Sequence, residues 1–241
     1  FDLSVVKDKK PKIEILSAPN IVNKSSLSFV SKTTDDYGIK KVIFNIGRPL
    51  SFKHFEEEYL SFYLHANGGA QQNTKLVESY FYKYLADIIW AGSDTYVEII
   101  ASDFINQSTK FIDRIKIPEK NFNNKTSTKI LKIREKLAKK EIGRNQGKED
   151  FTQLFNANQY LLNENNVRII YKETLNLLND TNIIKFSLKN QLFEKLFILA
   201  EVIEEGDSYQ AKKNLEQVEQ SLFDSVKQND TEKVSTNVNQ L

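Results

Sequence analysis

A chain of 241 residues is long enough for one large domain or two ordinary ones, and 40% hydrophobic residues supply a real core. Its 34 Lys and Arg stand against 32 Asp and Glu, spread evenly along the chain, so it lacks the cationic excess of a dedicated nucleic-acid binder. Cysteine is absent, which excludes thiolate nucleophiles, disulfides and cysteine-held zinc or iron–sulfur sites.

Methionine is absent too, and we expect the natural polypeptide to begin upstream of Phe1. No stretch of these residues reaches the roughly 20 apolar residues of a membrane span or reads as a signal peptide, and either feature could lie upstream of Phe1. Residues 1–10 read as a polar lead-in. A β domain is expected over 11–118. Ile13–Leu16 is strand-like and Pro19 is expected to end it. Ser26–Ser31 follows, then the turn Asp35-Asp36-Tyr37-Gly38, where carboxylates can cap their own backbone and glycine tolerates positive φ. Val42, Phe44 and Ile46 alternate onto one face, as do Leu60, Phe62 and Leu64. Gly68-Gly69 marks a loop. Val77–Leu85 is dense in aromatics, which favours a strand with Tyr80, Tyr82 and Tyr84 on one side and Phe81 on the other. Trp90-Ala91-Gly92 is a turn. Tyr96–Ala101 and Phe111–Ile117 are the last strands, joined across Asp103–Gln107, and Pro118 stops the second. About seven short strands with turns between them predict an immunoglobulin-like or fibronectin-type sandwich, with a curved single sheet or small barrel as the alternative.

A polar linker is expected over 119–127 and a helical domain over 128–241. Ser127 or Thr128 is expected to cap a helix with Ile130, Ile133, Leu137 and Ala138 inward. Its other side is basic, and Lys132, Lys136 and Lys139 are candidate contacts for a phosphate or an anionic lipid, although a short, partly neutralised stretch reads first as a solvated face. Gly143–Gly147 reads as a loop and lacks the ending of a phosphate-binding loop. Helices are expected over Phe151–Leu162 and Val167–Leu178. A long helix with Leu192, Leu196, Leu199 and Ile203 then breaks at Glu204-Glu205-Gly206-Asp207, and a second carries Ala211, Leu215, Val218, Leu222 and Val226. Together they predict a helical hairpin within a bundle. Thr231 is expected to open a further helix.

Few residues carry a chemical signature. Asp35, Asp36 and Asp103 are hard oxygen donors that could hold calcium at the end of a sandwich, but turn capping accounts for them and is preferred. His54 and His65 have no metal spacing, and the glutamates of the long helix lack the facing Glu-x-x-His of a di-metal bundle. No catalytic, cofactor-binding or metal residue is therefore assigned. Trp90, Tyr80 and Tyr82, with the three lysines, are the candidate interaction surface. Trp90 reads first as a core or inter-domain plug, and the tyrosine stripe first as packing.

At the level of motifs the chain resembles a family of large uncharacterised, membrane-anchored proteins of Gram-negative bacteria, mostly alphaproteobacteria. The residues that carry the resemblance are Leu196, Leu199-Ala200, Ile203-Glu204, Gly206-Asp207, Ala211, Leu215 and Leu222, with Asp35–Ile39, Trp90-Ala91-Gly92, Asp103 in its hairpin, and the passage from Pro118 and Phe122 to Arg134. The resemblance implies transmembrane helices upstream of Phe1, an immunoglobulin-like domain facing the periplasm from the inner membrane, and a helical region leading into a long tail. It implies no enzymatic activity. Residues 48–72 depart from the family pattern as an insertion whose loops could meet a partner.

The expected function is a non-enzymatic scaffold or protein-interaction module of the cell envelope, without cofactor or nucleic acid. Its partner would be an envelope protein or another copy bound through the amphipathic helices. The alternatives are a cell-wall hydrolase using Glu56, Glu57 or Glu58 beside Asp35 or Asp36, and a sugar- or peptide-binding sandwich using Trp90 and the tyrosines.

Overall fold

The computed structural model describes residues 7–53, 57–66, 74–180 and 186–227. Seven strands come first: β1 (Lys12–Val22), β2 (Ser26–Thr34), β3 (Ile39–Gly47), β4 (Tyr59–Ala66), β5 (Leu76–Tyr84), β6 (Asp94–Asp103) and β7 (Ser108–Lys116). They form two antiparallel sheets, one of order β1-β2-β5 and one of order β4-β3-β6-β7. Five helices follow: α1 (Lys125–Ala138), α2 (Arg144–Asn156), α3 (Asn165–Asn179), α4 (Phe186–Glu205) and α5 (Tyr209–Lys227). The strands make one compact unit ending at Pro118. The helices make a second, to which residues 51–53 and 87–91 also belong.

In the β unit, side chains alternate between faces, so every second residue points inward. Leu27 and Phe29 of β2, Val77 and Phe81 of β5, Val42, Phe44 and Ile46 of β3, and Val97, Ile99 and Ala101 of β6 are all buried. The two sheets meet through aromatic rings. Phe44 lies 4.6 Å from both Phe29 and Phe81, and Phe62 lies 5.2 Å from Phe81. Burying side chains of this size stabilises by roughly 1.5–3 kcal/mol each.

Pro19 does not end β1. The strand continues to Val22, with irregular register between Ile15 and Asn20. It has a neighbour only on the β2 side, and a proline without an N–H costs little on such an edge. The β1–β2 turn has positive φ at both Asn23 and Lys24, as the tightest hairpins require.

In the helical unit, α4 supplies the centre: Leu192, Leu196, Leu199, Ala200, Val202 and Ile203 join Ile130, Ile133, Phe151, Phe155, Val167 and Leu178 in one buried cluster. Four boundaries differ from expectation, one being that the helix expected over Phe151–Leu162 ends at Asn156 and a separate 3-10 helix spans Gln159–Asn163. The cap of α1 is Asn124, whose side-chain oxygen accepts from Thr126 N and Ser127 N. Ser127 is instead buried and donates to Ala200 O at 2.8 Å. Residues 144–147 begin α2 rather than forming a loop, because the missing side chain of Gly147 makes room for Leu137: a Cβ there would meet Leu137 Cδ2 at 2.7 Å. The stretch 119–127 is not a slack linker, since Lys120, Asn123 and Asn124 all bond to α4. The break between the last two helices is the single turn Gly206–Ser208, with Gly206 at φ +54°. Gly68-Gly69, His54, Glu56 and the helix expected from Thr231 lie outside the described residues.

Candidate functional site

The most polar concentration in the β unit follows from strand alternation. The inward row of β2 runs Leu27, Phe29, Ser31, Thr33, and the next member of that row is Asp35, only 8% exposed. The inward row of β6 runs Val97, Ile99, Ala101, Asp103, and Asp103 is 1% exposed. Asp103 pairs across the ladder with Ile39, a few residues beyond Asp35. The two carboxylates therefore close inner rows of different sheets at the same end of the unit.

Two more join them. One carboxylate oxygen from each of Asp8, Asp35 and Asp36 lies within 4.8 Å of the other two. Gln107 ties Asp103 to the group: its backbone N–H donates to Asp103 Oδ1 at 2.8 Å and its side-chain amide to Asp8 Oδ2 at 3.3 Å. Asp35 uses one oxygen in the turn, where Oδ2 accepts from Tyr37 N at 3.0 Å and Gly38 N at 2.6 Å. Its other oxygen is buried without a hydrogen-bond partner, as are Asp8 Oδ1 and Asp103 Oδ2. Burial, a carboxyl–carboxyl hydrogen bond with Asp36, and the negative charges of Asp36, Asp35 and Asp103 raise the Asp8 pKa above its ordinary value.

Asp35, Asp36 and Asp103 were legible as turn residues. Asp8 was not, because it lies in a polar lead-in 27 residues before Asp35. The lead-in is held by long-range bonds, from Lys9 N to Asp36 Oδ1 and from Thr109 Oγ1 to Pro11 O.

The other sequence-derived residues are dispersed. Trp90 has no exposed surface, so it packs as a core side chain and presents no face for an interaction. Tyr80 is 41% exposed on the outer face of β5 and donates to Glu78 at 3.0 Å, and Tyr82 is half-buried on the same face. Lys132 and Lys136 are exposed and line a cleft of about 390 Å³ with Lys129, Asp150, Gln153 and Asn158. Lys139 faces elsewhere. It pairs with Glu135 and lies 5.3 Å from the Phe52 ring centre. His65 sits partly buried in β4, where burial lowers its pKa below 6.5.

The buried charges of the helical unit are bound to one another and to backbone. The Arg134 guanidinium donates to Phe193 O at 2.9 Å, to Ile88 O at 3.5 Å and to Asp87 O, and lies 5.1 Å from the Phe197 ring. Burial pulls its pKa down to about 10, so it stays charged at neutral pH. Glu201, with no exposed surface, pairs with Lys120 at 2.8 Å and Lys213 at 3.1 Å. Burial draws the Lys120 pKa down, but bonds and attraction to Glu201 and Glu205 outweigh it and leave the ammonium above its ordinary value. Each charge is committed to holding segments together.

A family model described as "Domain of unknown function (DUF4175)" matches residues 1–241. No curated protein matches in sequence. Among solved structures, a β-glucosidase 3B from Thermotoga neapolitana in complex with α-D-glucose is similar over 44% of this chain and 17% of that one, at 13% identity and a TM-score of 0.23.

Proposed function

The chain belongs to the DUF4175 family of domains of unknown function, and we propose that it is a non-enzymatic interaction module of a membrane-anchored cell-envelope protein. In this reading the β unit is a fibronectin-type sandwich, which the division into β1-β2-β5 and β4-β3-β6-β7 supports. The helices α4 and α5 are the two arms of a helical hairpin joined at Gly206–Ser208. The envelope location, inner membrane with the module facing the periplasm, rests on the motif resemblance through Leu196–Leu222 and Asp35–Ile39.

The observation that carries the interaction reading is the apolar stripe of α5. Leu215 and Val226 are 45% and 56% exposed on a helix whose remaining surface is largely polar. Among the described residues, the core of the helical unit takes α4 and none of Leu215, Val218, Leu222 or Val226. The buried carboxylate Glu201 and the buried guanidinium of Arg134 are occupied in packing, which favours a structural role for them.

The test is affinity capture of the full-length protein from its native membrane after mild crosslinking, with wild type and a Leu215→Glu/Val226→Glu variant compared by mass spectrometry. We expect one envelope assembly, or a second copy of the chain, to be recovered with wild type and lost with the variant. Equal recovery by both, or turnover of cell-wall glycan by the purified chain, would overturn the reading.

A further inference from the structure

We propose that Asp8, Asp35 and Asp36 form a binding site for a calcium ion at one end of the β unit, with Asp103 tied to it through Gln107. The site is independent of the interaction reading of α5 and goes beyond it.

Geometry comes first. Calcium binds oxygen ligands at about 2.3–2.6 Å, so two ligands of one ion can be at most about 5 Å apart. One oxygen each from Asp8, Asp35 and Asp36 falls within 4.8 Å of the other two, which fits a single ion shared by three carboxylates. A smaller ion such as magnesium holds its ligands about 2.1 Å away in strict octahedral geometry. Carboxylates drawn from the lead-in and from a turn suit the looser calcium shell better.

Burial is the second and independent argument. A carboxylate oxygen removed from water without a partner is costly, and buried charges are normally paired or bound to metal. Here Asp35 is 8% exposed and Asp103 1% exposed, and each keeps one oxygen with no hydrogen-bond partner, as Asp8 does. Turn capping explains Asp35 Oδ2 and the Gln107 amide explains Asp103 Oδ1, so capping uses half of each group and leaves the other half over. A bound cation supplies what the spare oxygens of Asp35 and Asp8 lack.

Charge is the third. Among the described residues no lysine or arginine pairs with any of the four carboxylates. Like charges gathered in this way repel unless protonated or neutralised. The inner rows leading to the site also turn polar, with Ser31, Thr33 and Ser79 fully buried behind Asp35.

The experiment is calorimetric titration of CaCl2 into the chelator-stripped 241-residue chain, paired with melting curves in CaCl2 and in EDTA. We expect a one-site isotherm with a Kd of about 10⁻⁵ to 10⁻³ M, in the range of sensor and extracellular calcium modules. We also expect Tm several degrees higher in calcium than in EDTA. Asp35→Asn keeps an oxygen for the backbone amides of Tyr37 and Gly38, so it should melt like wild type in EDTA yet bind calcium at least tenfold more weakly. Asp36→Asn and Asp8→Asn lie at the more exposed side of the cluster and should weaken binding similarly if the buried variant fails to fold. Three outcomes would overturn the site: no heat and no Tm shift at 10⁻² M calcium (about ten times the upper end of that range), undiminished binding by the asparagine variants, or an equal response to MgCl2.

Discussion

At the residue scale the structure distinguishes side chains that hold the fold from those that only decorate it. Arg134 is the clearest of the first kind. Its planar fork meets carbonyls of three residues, Asp87, Ile88 and Phe193. A lysine cannot reproduce that fork. Replacing Arg134 with Met strands the buried Phe193 carbonyl at about 1–3 kcal/mol and two part-buried carbonyls at less, so we expect a loss of roughly 2–4 kcal/mol in urea unfolding. Arg134→Lys should recover less than half of it, and full recovery by lysine would mean that charge alone is needed. His65 gives a prediction in pH. Burial lowers its folded pKa below 6.5, so the folded state prefers the neutral ring. Between the lowered pKa and 6.5 the unfolded chain binds more protons than the folded one. Stability is therefore full above that window and falls as pH drops through it. An NMR titration of the His65 ring should give a midpoint below 6.5, and a midpoint above it would contradict the partial burial of the ring in β4.

At the element scale the joints are short and specific. Glu204 accepts from Asn123 N at 2.9 Å and Asn124 N at 2.8 Å, fixing the entry to α1 on the end of α4. Asn124 in turn caps α1. Asn124→Ala should cost about 1 kcal/mol, as N-caps generally do. Asn124→Asp should be nearly silent because its oxygen can accept the same amides. Gly206 has open space around its Cα but a φ of +54°, so Gly206→Ala should cost about 1 kcal/mol through backbone strain alone. Chemical denaturation of the three variants checks both statements. The strands were legible because alternation is a local signal: Val42, Phe44 and Ile46 could be read as an inward face without knowing what they face. What could not be read depended on neighbours distant in sequence. Pro19 looked like a strand end because its position at the edge of β1 is set by sheet order. Gly147 looked like a loop residue because Leu137, which needs its missing side chain, lies on another helix. Asn124, Ser127 and Thr128 are all capping types, and only the burial of Ser127 against Ala200 O decides among them.

At the scale of the whole molecule, sequence order and structural membership part company. The candidate acidic site was visible in Asp35, Asp36 and Asp103, which sit at turns, but Asp8 enters by closure of a long loop that leaves no local pattern. The same holds for the helical unit, which takes in residues 51–53 and 87–91 from between strands. Those short excursions supply Phe52, beneath the Lys139 ammonium, and two of the carbonyl acceptors of Arg134. A boundary drawn at Glu119 therefore severs the helical unit from part of itself. We expect a fragment of residues 119–241 to unfold at lower urea than the helical unit does in the full chain. The cost of Arg134→Met should also shrink in the fragment, because only the Phe193 carbonyl remains to be stranded, and the difference between the two costs is the coupling of Arg134 to residues 87 and 88. Far-UV circular dichroism at the helical band follows the transition in both forms. An unchanged midpoint together with an unchanged Arg134 cost would show that the helical unit is complete without the two excursions, and the bonds to Asp87 and Ile88 would then contribute nothing to its stability.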